Sequence, residues 1–361
     1  MKPTQFLLPL LTATLLTACE DGDGASGSAP SQPYTDFFSA LPTETIHPAE
    51  NPFNQQKFEL GEALFWDPIL SGDKNVACAS CHHPAFGWAD GRALSIGTDG
   101  KGLGPDRSGT QITPKHAPTI MNVAFTGLAA GENTDTFVAN GYFWDLRVDT
   151  LEQQALEPVK NQIEMRGERF SEDQILPEVV SRLAKIPEYI DMFSYAFPDE
   201  ITSADDINEG HIAKALASFQ REVFSPNSRF DEFIAGNESA LSNQEITGLN
   251  KFINGGCARC HSGPLLADNQ LRSDQIVTNF EAVRTPSLRN ISKTAPYMHL
   301  GDVATLDGAV ALYEDRGDLQ VTMEDDDVGD ISAFLRSLDN DGFYQEIPTR
   351  VPSGLPVGGD I

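Results

Sequence analysis

Cys78-Ala79-Ser80-Cys81-His82 and Cys257-Ala258-Arg259-Cys260-His261 are two copies of one pattern, C-x-x-C-H. Thiols at this spacing reach the two vinyl groups on one edge of a porphyrin. The histidine that follows then swings beneath the iron as proximal ligand. The chain has five cysteines, and the two motifs use all of them except Cys19. None is left for a structural disulfide. Zinc is the rival chemistry for four thiols with imidazoles nearby. It would require pairs from opposite halves of the chain to converge, and it leaves the two histidines unexplained. The motifs therefore predict two haems c, attached through Cys78, Cys81, Cys257 and Cys260, with His82 and His261 as axial ligands. His83 carries no such argument and is read as a surface or turn residue.

Such ligands need rigid elements ahead of them, and both flanks supply one. Phe58, Gly61, Leu64 and Phe65 stand at helical spacing before the first motif, followed by a loop with Pro68 and Gly72. Before the second, Ser242-Asn243-Gln244-Glu245 is a capping box. It opens a helix whose apolar face is Ile246, Leu249, Phe252 and Ile253, stopped by Gly255-Gly256. Helical spacing recurs at Ile212, Leu216, Phe219 and Val223, and again at Val328, Ile331, Leu335 and Leu338. The acidic run from Glu324 to Asp327 suits the N-terminal end of that last helix. No long alternating apolar run is present. The predicted fold is mostly α: two class I cytochrome c-like haem domains in tandem, with the haems near the domain interface. The expected divisions are 36–205 for the N-terminal domain, 206–346 for the C-terminal domain and 347–361 for a tail.

The formal net charge is −28. Such a surface repels nucleic acid; it either steers basic partners toward it or serves solubility alone. Residues 1–18 read as an export signal: Lys2, then an apolar stretch from Phe6 to Leu16 too short to span a bilayer. Leu16-Thr17-Ala18-Cys19 resembles a bacterial lipoprotein cleavage box, which makes Cys19 the lipidated residue. Residues 19–35, rich in Gly, Ser, Asp and Pro, read as a flexible linker. The expected location is the periplasm, with a lipid anchor as the only membrane attachment.

CASCHHP at 78–84, HAPTIMN at 116–122, YFWDLR at 142–147, LEQQAL at 151–156, RTPSLRN at 284–290 and TAPYMHLG at 294–301 resemble the bacterial dihaem cytochrome c peroxidase superfamily. That superfamily includes MauG and MbnH-type enzymes, and the likeness runs from about Asn51 to Leu338. It implies that the N-terminal haem meets hydrogen peroxide while the C-terminal haem exchanges or stores electrons. Members that need reductive activation carry a distal His after a serine-x-glycine step. Here Ser95-Ile96-Gly97 is followed by Thr98, which implies an open first iron; another loop register would bring His116 close.

The resemblance places the distal acid–base carboxylate on Glu152, where peroxide cleavage needs a group to shuttle a proton. In an apolar pocket its pKa is expected to be raised. The distal glutamine position falls on Tyr142, and Leu146 stands where the family has glycine. Fourteen residues after His299, where conventional members have a Met ligand, stands Tyr313, as in MauG. Met is soft and raises the potential, whereas a tyrosine oxygen favours higher oxidation states. Met298 and Met323 are the rival ligands. The resemblance also implies a calcium ion held by the carbonyls of Thr294 and Pro296, with His116 in place of the usual Asn. The family's inter-haem tryptophan has no counterpart between Thr126 and Gly141. Trp66, Trp88 and Trp144 are read as packing residues.

Three functions follow from this reading. One is a MauG/MbnH-like peroxidase that oxidises a side chain of a partner protein. Another is a conventional cytochrome c peroxidase fed by a small cytochrome or cupredoxin. A non-catalytic dihaem carrier or sensor is the third.

Overall fold

Helix α1 (Gln55–Trp66) starts where the Asn54 side chain accepts the Lys57 N–H at 2.6 Å, which satisfies one of the orphan donors of its first turn. The computed structural model describes residues 34–134, 137–139, 141–273, 282–314, 316–324 and 326–361. After α1 the chain runs through short 3-10 turns and isolated bridges to α2 (Leu151–Lys160), α3 (Glu172–Leu183), α4 (Pro187–Ala196) and α5 (Glu209–Glu222). The second half carries α6 (Arg229–Ile234), α7 (Asn243–Asn254), α8 (Leu306–Ala311) and α9 (Asp327–Arg336). Leu271–Arg272 (β1) and Val283–Arg284 (β2) form a small antiparallel pair. Among the described residues no helix is long and apolar enough to cross a membrane.

The same crossing is built twice. Gly61 of α1 faces α5 so closely that an added Cβ would lie 2.0 Å from the Ala215 carbonyl oxygen. Gly248 of α7 meets α9 in the same way, 1.9 Å from the Asp330 carbonyl oxygen. Only glycine permits backbones to approach so closely. In each repeat a helix ahead of the C-x-x-C-H motif thus rests on a later helix. Around the first crossing Leu60, Leu64, Phe65, Leu216 and Phe219 are buried in one core. Around the second, Leu249, Phe252, Ile331, Phe334 and Leu335 form another.

The expected division at 205/206 therefore falls ahead of a helix that packs on α1. The first core takes in α5, and also Phe343 and Val351 from the C-terminal segment. Residues 347–361, expected as a tail, fold back on the first half. Gly358 N–H donates to the Trp66 carbonyl at 2.7 Å and Asp360 N–H to that of Asn75 at 2.9 Å. The Ser80 hydroxyl, inside the first motif, donates to the Gly358 carbonyl at 2.8 Å.

Candidate functional site: two histidine–cysteine sites joined by a strap

Both motifs fold into the same turn. His82 N–H donates to the Cys78 carbonyl at 3.0 Å, and His261 N–H to the Cys257 carbonyl at 3.0 Å. This brings the second cysteine and the histidine around to one side. Each imidazole is then oriented from behind: Nδ1 of His82 lies 3.2 Å from the Trp88 carbonyl, and Nδ1 of His261 lies 3.0 Å from that of Leu266. A carbonyl only accepts, so each Nδ1 carries the proton and Nε2 keeps its lone pair. That is how a metal-ligating histidine is held. Burial pushes the His82 imidazole down to about 4, which keeps it in its neutral, ligating form. His83 is buried, against the surface reading. Its ring caps the following turn by accepting the Ala85 N–H at 3.2 Å and packs edge-on to Trp66.

Cys257, Cys260 and His261 line a cavity of about 540 Å³ whose wall also carries Phe252, Leu265, Leu306, Val310 and Leu335. Size and apolar lining fit a flat macrocycle held through two thiols and an imidazole. Tyr313, Met298 and Met323 all reach this wall, so the three rival ligands are brought together. Trp144 and His116 enter from the N-terminal half. Trp144 donates its indole N–H to the His116 carbonyl at 2.9 Å. Among the described residues no group of three or more His, Cys, Asp or Glu is placed to hold a metal ion, so the two cysteine pairs serve separate sites.

Thr294 and Pro296 lie on the same wall, but the third calcium donor does not fit. Nδ1 of His116 is engaged with the Arg92 and Ala93 carbonyls at 2.9 and 3.3 Å. An imidazole also lacks the hard oxygen that calcium prefers.

At the first motif, the Ile96 carbonyl lies 4.0 Å from the Cys81 thiol, so Ser95-Ile96-Gly97-Thr98 runs past it. Thr98 N–H donates to the Ile163 carbonyl at 3.0 Å, in the π-helical turn Gln162–Arg166. Glu164, in that turn, was not singled out by sequence. Burial pushes its carboxyl up, and its charge acts on the Cys81 thiol. The only local cue was an acidic residue among Ile163 and Met165.

Glu152 sits in the first turn of α2, and its environment differs from expectation. Burial raises its pKa, but Arg221 outweighs burial with hydrogen bonds and charge, aided by Asn51, and the carboxyl is held below its ordinary value. The raised pKa expected for Glu152 is therefore corrected, because α5 places Arg221 against it. Tyr142 lies beside this pair. Its ring packs with Leu151 and Ala217, and burial pushes its phenol up to about 12.

Tyr142 belongs to a strap, residues 141–148, pinned by the Tyr142–Val148 bridge. The strap is stitched to the second site: Asn269 donates to the Gly141 carbonyl at 3.3 Å, and Arg284 N–H to the Trp144 carbonyl at 2.8 Å. One short segment thus touches the Glu152 network at one end and the second cavity at the other.

A family profile described as di-haem cytochrome c peroxidase matches residues 55–239. Cytochrome c peroxidase Ccp of Escherichia coli is 33% identical over 81% of this chain, which spans 60% of that protein's length. MauG of Methylorubrum extorquens, a methylamine utilization protein, is 30% identical over 90% of this chain and 91% of its own. Among solved structures, a MauG-like protein associated with microbial copper homeostasis superposes with a TM-score of 0.64. It is 26% identical and covers 88% of this chain and 96% of its own.

Proposed function

Since the chain belongs to the di-haem cytochrome c peroxidase family, we propose that it is a MauG/MbnH-like peroxidase, taking hydrogen peroxide at the His82 site and oxidising a side chain of a partner protein. The two haems c, when bound, supply the iron that takes up peroxide and holds its oxidising equivalents. Tyr313, on the wall of the second cavity at the ligand count from His299, carries this reading. Glu152, kept anionic by Arg221, is the base that accepts a proton from peroxide. Glu164, whose carboxyl burial pushes up, is the acid that returns one. Tyr142, beside Glu152, would orient peroxide through its phenol O–H. The formal charge of −28 suits a basic partner protein.

A conventional cytochrome c peroxidase is the second reading, favoured by Met298 and Met323 on the same wall. A non-catalytic carrier is the third, and Thr98 and Glu152 have no use in it. Resting-state electron paramagnetic resonance separates the third from the others. One high-spin and one low-spin ferric signal are expected, and two low-spin signals with no response to peroxide refute peroxidase function. Rapid peroxide reduction with ferrocytochrome c, together with a Met-ligated second haem, refutes the MauG-like assignment. The reading requires no calcium: chelation is expected to leave the spectra unchanged. Export and lipidation at Cys19, outside the described residues, belong to the same proposal. Mass spectrometry of the mature N terminus tests them.

A further inference from the structure

Arg284 is a cation set into the wall of the second cavity, and no described carboxylate is paired with it. Its Nη1 donates to the Asn269 side-chain oxygen at 3.2 Å, and its backbone N–H to Trp144. Its Nε is buried and has no hydrogen-bond partner among the described residues. No carboxylate among them forms an ion pair with it. Arg272, on the same wall, differs in being paired with Asp268. A desolvated guanidinium costs several kcal/mol unless a negative group answers it. Burial accordingly pushes the Arg284 pKa down, to about 10. Only an ionised Tyr142 would offset this, and that phenol stays neutral over the physiological range. Among the described residues no anion answers it, and the cavity that Arg284 lines is where one can be supplied.

We propose that Arg284 binds a propionate carboxylate of the second haem, with the free Nε and its neighbouring N–H as the donor fork. A planar guanidinium suits a carboxylate better than an ammonium does. Arg284 also neighbours Tyr142, which lies beside the Glu152–Arg221 pair. The inference rests on the reading that the second cavity holds haem, and not on peroxidase activity.

Redox titration of the holoprotein and its Arg284→Gln variant tests it. Removing a cation beside the haem favours the ferric form. The second haem's ferric–ferrous equilibrium is expected to move tenfold or more toward ferric, about 59 mV for one electron, with the first haem moving less. Two haems per chain by pyridine haemochrome assay and an unmoved second potential overturn the assignment. A single haem per chain refutes the two-haem reading instead. Should Arg284→Gln fail to accumulate, Arg284→Lys keeps the charge but not the fork. Its second-haem propionate bending band in resonance Raman is expected to shift, and an unshifted band overturns the proposal.

Discussion

Arg221 meets Glu152 with two parallel hydrogen bonds, Nη1 to Oε1 at 2.7 Å and Nη2 to Oε2 at 3.0 Å. The arginine is nearly inaccessible and the carboxylate mostly covered, with side-chain exposures of 5% and 21%. A carboxyl whose folded-state pKa is depressed contributes stability above its unfolded pKa, and that contribution is lost as pH falls through the folded value. Arg221→Gln removes the restraint and leaves burial to push Glu152 upward. The acid limb of the peroxide-reaction profile is expected to move to higher pH. Stability at neutral pH is expected to drop by roughly 3 kcal/mol, as measured by denaturant unfolding. An unmoved acid limb refutes the role given to Glu152.

Glu164 has the opposite sign. Its folded pKa is raised, so folding favours the protonated form, and stability is lost as pH rises through the folded value. Glu164→Gln is therefore expected to raise the melting temperature at neutral and alkaline pH while slowing the peroxide reaction about a hundredfold. Stopped-flow absorbance and calorimetry provide the two readouts. A gain in stability with unaltered kinetics shows a structural carboxyl only.

Tyr313 follows α8 directly and shares the cavity wall with Met298 and Met323. In Tyr313→Phe the second haem's near-infrared and paramagnetic resonance spectra are expected to change. The first haem should keep its high-spin signal. If those spectra stay as they were while Met298→Leu or Met323→Leu alters them, the ligand is a methionine.

Asp231 and Arg289 pair at 2.7 Å with side-chain exposures of 5% and 0%. Arg289 also donates to the Pro264 carbonyl at 2.7 Å and to the Ser228 hydroxyl at 3.0 Å. Asp231→Ala strands this guanidinium and is expected to cost roughly 3–5 kcal/mol, measured by thermal or denaturant unfolding. A loss under 1 kcal/mol refutes the cost assigned to a stranded, buried Arg289.

Local features were legible in the sequence. C-x-x-C-H fixes thiol and imidazole over five positions. The capping box at Ser242 and Glu245 starts α7 where expected, with Glu245 N–H donating to the Ser242 hydroxyl at 3.3 Å. The apolar face from Val328 marked α9 for the same reason. Arg221 on Glu152, Arg284 on the cavity and the carbonyls behind His82 and His261 depend on which segments meet after folding, and helical periodicity holds no record of that. The Glu152 pKa reversed for this reason: burial of a helix position is visible in a pattern, but the cation brought to it by another helix is not.

The returning segment at residues 353–360 gives the molecule a timetable. Ser353 donates its hydroxyl to Asp67 at 2.7 Å, Asp360 N–H reaches Asn75, and Gly358 accepts from Ser80 between the two cysteines of the first motif. A ribosome therefore finishes the second C-x-x-C-H motif before it has supplied the strand of contacts that closes the first. The earlier-made site is the later-completed one. Truncation ahead of residue 353 would leave His261's surroundings whole and His82's open, so loss of a short stretch at one end would be read out at the opposite end of the chain.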